Sequence, residues 1–130
     1  MRNRNRPKPK REPPKRFAWF FGYHVFDVEA ARRLAAEKPV STLTTVSAAA
    51  LLDDGAADLD LVPFADVNAV AILARVPIGN GLERYLLIDG YETVKRCVEL
   101  GKNPRLRILS CREAYRCRLP ESLGEWPEQT

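Results

Sequence analysis

The stretch from Val70 to Ile88 limits the possible folds more than any other part of the chain. Val70 to Val76 is a continuous apolar run of the length of an interior strand. Gly79, Asn80 and Gly81 then form a turn, and a second strand runs from Arg84 to Ile88. Two such runs joined by a short glycine-rich turn pair as an antiparallel hairpin. Asp89 and Gly90 follow, opening a helical stretch in which Val94, Cys97, Val98 and Leu100 share a face and Gly101 supplies a C-terminal stop. Leu106 to Leu109 reads as the next strand. Ser110 and Glu113 stand at capping-box spacing for a final helix through Ala114 and Tyr115, and the residues after Pro120 read as a loose tail.

Upstream of the hairpin, an aromatic stretch with Phe17, Trp19, Phe20, Phe21, Tyr23, Val25 and Phe26 suits a first strand. Asp27 is placed to cap a helix whose apolar positions Val28, Ala31, Leu34 and Ala35 recur at helical spacing, and Pro39 bounds its end. Val40 to Val46 reads as a short strand, with Ser47 capping a brief helical turn from Ala48 to Leu52. Residues 53–60 hold Asp53, Asp54, Gly55, Asp58 and Asp60 and read as a solvated loop. They lack the length and the closing glutamate of a calcium-binding EF-hand, so no metal site is assigned there. Strands and helices that interleave in this way predict an α/β fold, a small mixed sheet flanked by short helices. A chain of 130 residues with 45% apolar content has enough to bury for one such domain.

The charge is unevenly spread. Residues 1–16 carry Arg2, Arg4, Arg6, Lys8, Lys10, Arg11, Lys15 and Arg16 against Glu12 alone, a net of +7, which leaves −3 for the rest of a chain whose total is +4. The same stretch contains Pro7, Pro9, Pro13 and Pro14 and no apolar residue after Met1. With nothing to bury and four positions that cannot continue a helix, it is expected to be a disordered basic arm ahead of a domain spanning 17–120 and a tail spanning 121–130. Such arms bind phosphate backbones by releasing counterions and read no sequence, so nucleic acid is the expected partner. An acidic protein or membrane surface, or a solubilising leader without a partner, are the other readings. No run of about 18 uncharged apolar residues occurs, so a membrane-spanning segment is not expected, and the chain is assigned to the cytoplasm.

Cys97, Cys111 and Cys117 make an odd count with no CxxC spacing, and they read as reduced, partly buried thiols. His24, the only histidine, reads as a packed aromatic beside a strand. These residues leave no set of zinc ligands, and no cofactor is assigned beyond a possible nucleotide.

The segment Tyr85-Leu86-Leu87-Ile88-Asp89-Gly90-Tyr91-Glu92-Thr93-Val94-Lys95-Arg96-Cys97-Val98-Glu99-Leu100-Gly101 resembles the central motif of the ParB/sulfiredoxin-like superfamily. In that family a strand ends in an acidic-glycine turn and a helix closing on Leu-Gly follows, then a further strand and helix. Arg105 to Leu109 and Ser110 to Ala114 fill those last places. The resemblance implies a ParB-like fold over roughly residues 40–117 and a phosphate or nucleotide site at Asp89, Gly90, Tyr91, Glu92 and Thr93, with Lys95 and Arg96 in reach. A glycine turn entering a helix leaves backbone N–H groups and the positive helix end facing a phosphate. The family places histidine or arginine after the glycine, whereas this chain has Tyr91, Glu92 and Thr93. Cys97 also falls too late for sulfiredoxin chemistry. The implied function is therefore a non-catalytic nucleic-acid-associated or nucleotide-sensing protein. The alternatives are a ParB-like nucleotide-dependent enzyme in which Asp89 or Glu92 handles a metal or a proton, and a structural interaction subunit that docks on a protein partner through Trp19, Phe20 and Phe21.

Overall fold

The computed structural model describes residues 14–19, 22–52, 61–124 and 126. Among them the chain is a mixed α/β fold, with a small sheet flanked by short helices as the sequence predicts. Strand β1 (Lys15–Trp19) pairs antiparallel with β2 (Tyr23–Asp27), Lys15 opposite Asp27 and Trp19 opposite Tyr23. A second sheet has the order β3 (Ser41–Thr42), β6 (Arg105–Leu109), β4 (Val70–Gly79), β5 (Leu82–Asp89). In it β4 runs parallel to β6, while β4 with β5 and β3 with β6 are antiparallel. Four helices accompany the strands: α1 (Val28–Ala35), α2 (Thr45–Ala50), α3 (Tyr91–Glu99) and α4 (Cys111–Arg116).

The β4–β5 hairpin forms where expected but is longer, because its turn is tight. Gly79, Asn80 and Gly81 take φ of 98°, 56° and 72° in succession. Only glycine, and asparagine among the others, accepts such a run cheaply, so both strands can extend to the turn itself. β4 is covered on both faces, which is why its sequence reads as an unbroken apolar run. Ala71 and Leu73 lie with Leu87 and Leu106 under Ala48 of α2 and Tyr91 and Val94 of α3. On the opposite face Ile72, Ala74 and Val76 lie with Leu86, Ile88 and Leu109 under α1, α4 and Phe26 of β2.

Two caps form as the sequence predicts. The Asp27 carboxylate accepts from the Ala30 amide at 3.1 Å at the start of α1. Ser110 and Glu113 form a reciprocal capping box on α4, with 3.0 and 3.2 Å bonds.

Several expectations are corrected. The aromatic stretch is two antiparallel strands, and the first begins at Lys15, so Lys15 and Arg16 belong to the folded body and not to the arm. Pro14 is tied in as well, its carbonyl accepting from the Val28 amide at 3.0 Å. The strand read over Val40 to Val46 shrinks to Ser41 and Thr42. Thr44 takes over as the cap, accepting from the Ser47 amide at 3.2 Å, and α2 starts at Thr45. Leu100 is 56% exposed at the end of α3, and the buried face of that helix is instead Tyr91, Thr93, Val94 and Cys97. Among the described residues after Pro120, Leu123 and Trp126 lie against β2, so this part is not loose, and residues 125 and 127–130 lie outside the described residues. Arg2 to Arg11, Phe20, Phe21 and the acidic stretch 53–60 lie outside the described residues, as does the side chain of Trp19. No helix among the described residues is long and apolar enough to cross a membrane.

Candidate functional site

The hairpin delivers Asp89 and Gly90 to the N-terminus of α3. Gly90 sits at φ 88° and ψ 27°, and its carbonyl accepts from the Val94 amide at 3.0 Å to start the helix. A Cβ at this position would lie 2.8 Å from the Ala71 Cβ and 3.0 Å from its Cα. Two separate demands therefore call for glycine here, a left-handed backbone and a close approach of α3 to β4.

The residues after the glycine divide by burial. Tyr91 is buried in the core under α3, and its hydroxyl donates to the Leu52 carbonyl. Thr93 is also buried and donates to the Asp66 carbonyl at 3.1 Å. Both side chains anchor α3 to the preceding loops. Glu92 stays half-buried at the surface. Lys95 pairs along the helix with Glu99 at 3.8 Å, and Arg96 occupies the last turn.

Beside the turn lies an open cavity of about 190 Å³ lined by Lys15, Arg16, Arg32, Asp89, Gly90 and Glu92, among others. Lys95 and Arg96 are not among its lining residues. Of the positions indicated by the sequence, the structure thus brings together Asp89, Gly90, Tyr91, Glu92, Lys15 and Arg16.

The addition is Arg32 on α1. Its Nε and a terminal nitrogen donate to the two Asp89 carboxylate oxygens at 2.8 and 3.1 Å, a bidentate pair. Nothing local in the sequence could have indicated it, because Arg32 lies 57 positions from Asp89 and reads as the solvated face of α1. The backbone of β5 holds Arg16, whose Nε donates to the Leu87 carbonyl at 3.0 Å and whose Nη1 donates to the Phe17 carbonyl at 2.6 Å. Lys15 reaches Glu121 at 3.3 Å.

Three cations and the open end of α3 thus surround a cavity that also holds two carboxylates. Each of the three cations already has a protein partner: Arg32 has Asp89, Lys15 has Glu121, and Arg16 has the Leu87 and Phe17 carbonyls. Burial pushes the Cys117 thiol up to about 11, with Asp27 and Glu113 adding to the effect and Arg33 opposing it. Burial likewise raises Cys97, which Lys102 partly offsets. His24 is buried under Trp126 in the other sheet. Among the described residues, no three His, Cys, Asp or Glu side chains gather to hold a metal ion.

No family model, curated protein or solved structure matches the chain. The reading of the site therefore rests on its own chemistry.

Proposed function

We propose that the protein is a non-catalytic nucleic-acid-associated protein in which the basic arm supplies electrostatic binding and the cavity at Gly90 receives a phosphate. The observation that carries the reading is the charge partition: with Lys15 and Arg16 in the body, residues 1–13 hold a net +5 and residues 14–130 a net −1. A body of almost no net charge draws little attraction to polyanions by itself, so affinity follows the arm. The path of the chain supports a link between the two parts: Lys15 and Arg16, where the arm joins the body, line the cavity beside the glycine turn. The resemblance of residues 85–101 to the ParB/sulfiredoxin-like motif favours the same role for that turn. The non-catalytic reading is supported by the pairing of Asp89 with Arg32 and by the hydrogen bonds that tie Tyr91 and Thr93 to neighbouring loops.

Fluorescence anisotropy with a mixed-sequence DNA duplex and a single-stranded RNA tests the arm. Replacing Arg2, Arg4, Arg6, Lys8, Lys10 and Arg11 together by Gln is expected to remove most affinity for both, and unchanged affinity contradicts the reading. Titration with CTP, ATP and GTP tests the cavity. Glu92→Arg exchanges a carboxylate for a donor and is expected to strengthen binding of the triphosphates. If none of the three binds to either protein, the cavity has no phosphate role and the arm alone carries the function.

A further inference from the structure

The chain beyond α4 returns across β2 as a strap. Leu119 N donates to the Val25 carbonyl at 2.7 Å, and Tyr23 and Leu123 exchange backbone hydrogen bonds of 2.7 and 2.6 Å. β2 is thereby held on both edges, by β1 and by the strap. At the strap's end Trp126 meets three rings edge-on, Tyr115 at 5.5 Å, His24 at 5.9 Å and Phe26 at 6.2 Å. Arg118 lies 6.0 Å from the Trp126 ring, donates through Nη2 to the Gly124 carbonyl at 2.7 Å, and donates through Nε to His24 Nδ1 at 3.1 Å.

That last bond fixes a protonation state. A guanidinium has donors only and keeps its charge, so His24 Nδ1 must present its lone pair. The ring is then neutral, with its proton on Nε2. A protonated imidazole is a donor at both nitrogens, so adding a proton sets two donors and two positive charges against each other. His24 is 2% exposed, and water cannot screen that contact well. Around the ring, β1 places Ala18 opposite it, β2 stacks Phe26 at 6.4 Å, α4 contributes Tyr115 through Trp126, and the strap contributes Arg118.

We propose that the strap is an acid-released latch: protonation of His24 expels Arg118 and with it Trp126, uncovering the aromatic face of His24, Phe26 and Tyr115 while the four-stranded sheet stays folded. This device is independent of the arm and of the Gly90 cavity. Its trigger is a single group, because the chain has one histidine.

One experiment follows the trigger and the response together. The chain has two tryptophans. In the full chain carrying Trp19→Phe, Trp126 is therefore the sole tryptophan, and the ring signals of His24 are unambiguous by NMR. Between about pH 8 and about pH 5 the ring shifts, the Trp126 emission and the far-UV circular dichroism are recorded. The latch predicts the Nε2–H tautomer at the upper limit, a red shift of Trp126 emission with the midpoint of His24 protonation, and unchanged dichroism. Four results overturn it: a proton on Nδ1 at the upper limit, no protonation of His24 over the range, protonation without movement of the emission, or loss of dichroism at the same midpoint. His24→Phe keeps a ring in place and is expected to abolish the red shift, and its persistence in that variant also overturns the latch. If that variant fails to fold, the single-histidine titration decides alone.

Discussion

At the scale of single residues, Gly90 matters first for packing. Gly90→Ala is expected to lower stability by about 1–3 kcal/mol, since it combines a left-handed φ with a Cβ pressed on Ala71. Gly81→Ala provides the comparison, because Gly81 also has a positive φ but nothing within 4 Å of an added Cβ. Thermal melts should show the larger loss at Gly90, and equal losses would mean that the contact with Ala71 contributes nothing. A β-branched residue at Gly90 is therefore a poor probe of phosphate binding, because it perturbs the fold first. Glu92 is the better position, being half-buried at the surface. The cysteines allow a second prediction at this scale. All three are buried, and the Cys117 thiol is pushed up to about 11, so little thiolate is present near neutrality. Iodoacetamide near pH 7.5 should label the native protein far more slowly than the denatured one. Rapid modification of Cys117 in the native state would show that the packing between α4 and β2 is looser than described.

At the scale of elements, the caps are the most exposed to test. Ser110→Ala removes the acceptor for the Glu113 amide and should cost about 1 kcal/mol, read from denaturant midpoints. Burial alone would raise the Glu113 carboxyl. Hydrogen bonds from Lys38 at 2.6 Å and from the Ser110 backbone and hydroxyl outweigh it, and with the Lys38 charge they hold the group below its ordinary 4.5. A carboxyl depressed in the folded state contributes stability that is present above the unfolded value and is lost as pH falls through the folded one. The stability of the wild type should thus fall more steeply than that of Glu113→Gln below about pH 4.5. Parallel pH curves for the two proteins would refute that contribution. Much of this scale was legible from local signals. Asp27, Ser110 with Glu113, and the Gly79–Gly81 turn each announce themselves within four residues. The misreadings arose where two local signals competed or where the deciding contact is distant. Thr44 and Ser47 are both adequate caps, and only the structure shows Thr44 accepting from Ser47. The break between β1 and β2 is hidden in a stretch that is aromatic on both sides of it. Arg32 reaches Asp89, and Trp126 reaches Phe26 and His24, across separations that no periodicity encodes.

At the scale of the whole molecule, the described body begins at Pro14, so the arm that can be removed without touching a strand or the Pro14–Val28 bond is residues 1–13. Six basic residues lie within it, Arg2, Arg4, Arg6, Lys8, Lys10 and Arg11. The candidate site was only half legible at this scale. The sequence located Asp89 and Gly90 and the basic stretch, but their meeting at one cavity depends on β1 lying beside the end of β5, where Arg16 binds the Leu87 carbonyl. The measurement that bears most directly on the proposed function is the salt dependence of duplex binding by the full chain and by residues 14–130. Each neutralised phosphate contributes about −0.9 to the slope of log affinity against log salt, so full engagement of the six arm cations gives a slope of about −5. The account predicts a steep slope for the full chain, and for residues 14–130 a shallow slope with weak affinity and an unchanged melting temperature. Equal affinity and equal slope for the two proteins would contradict it.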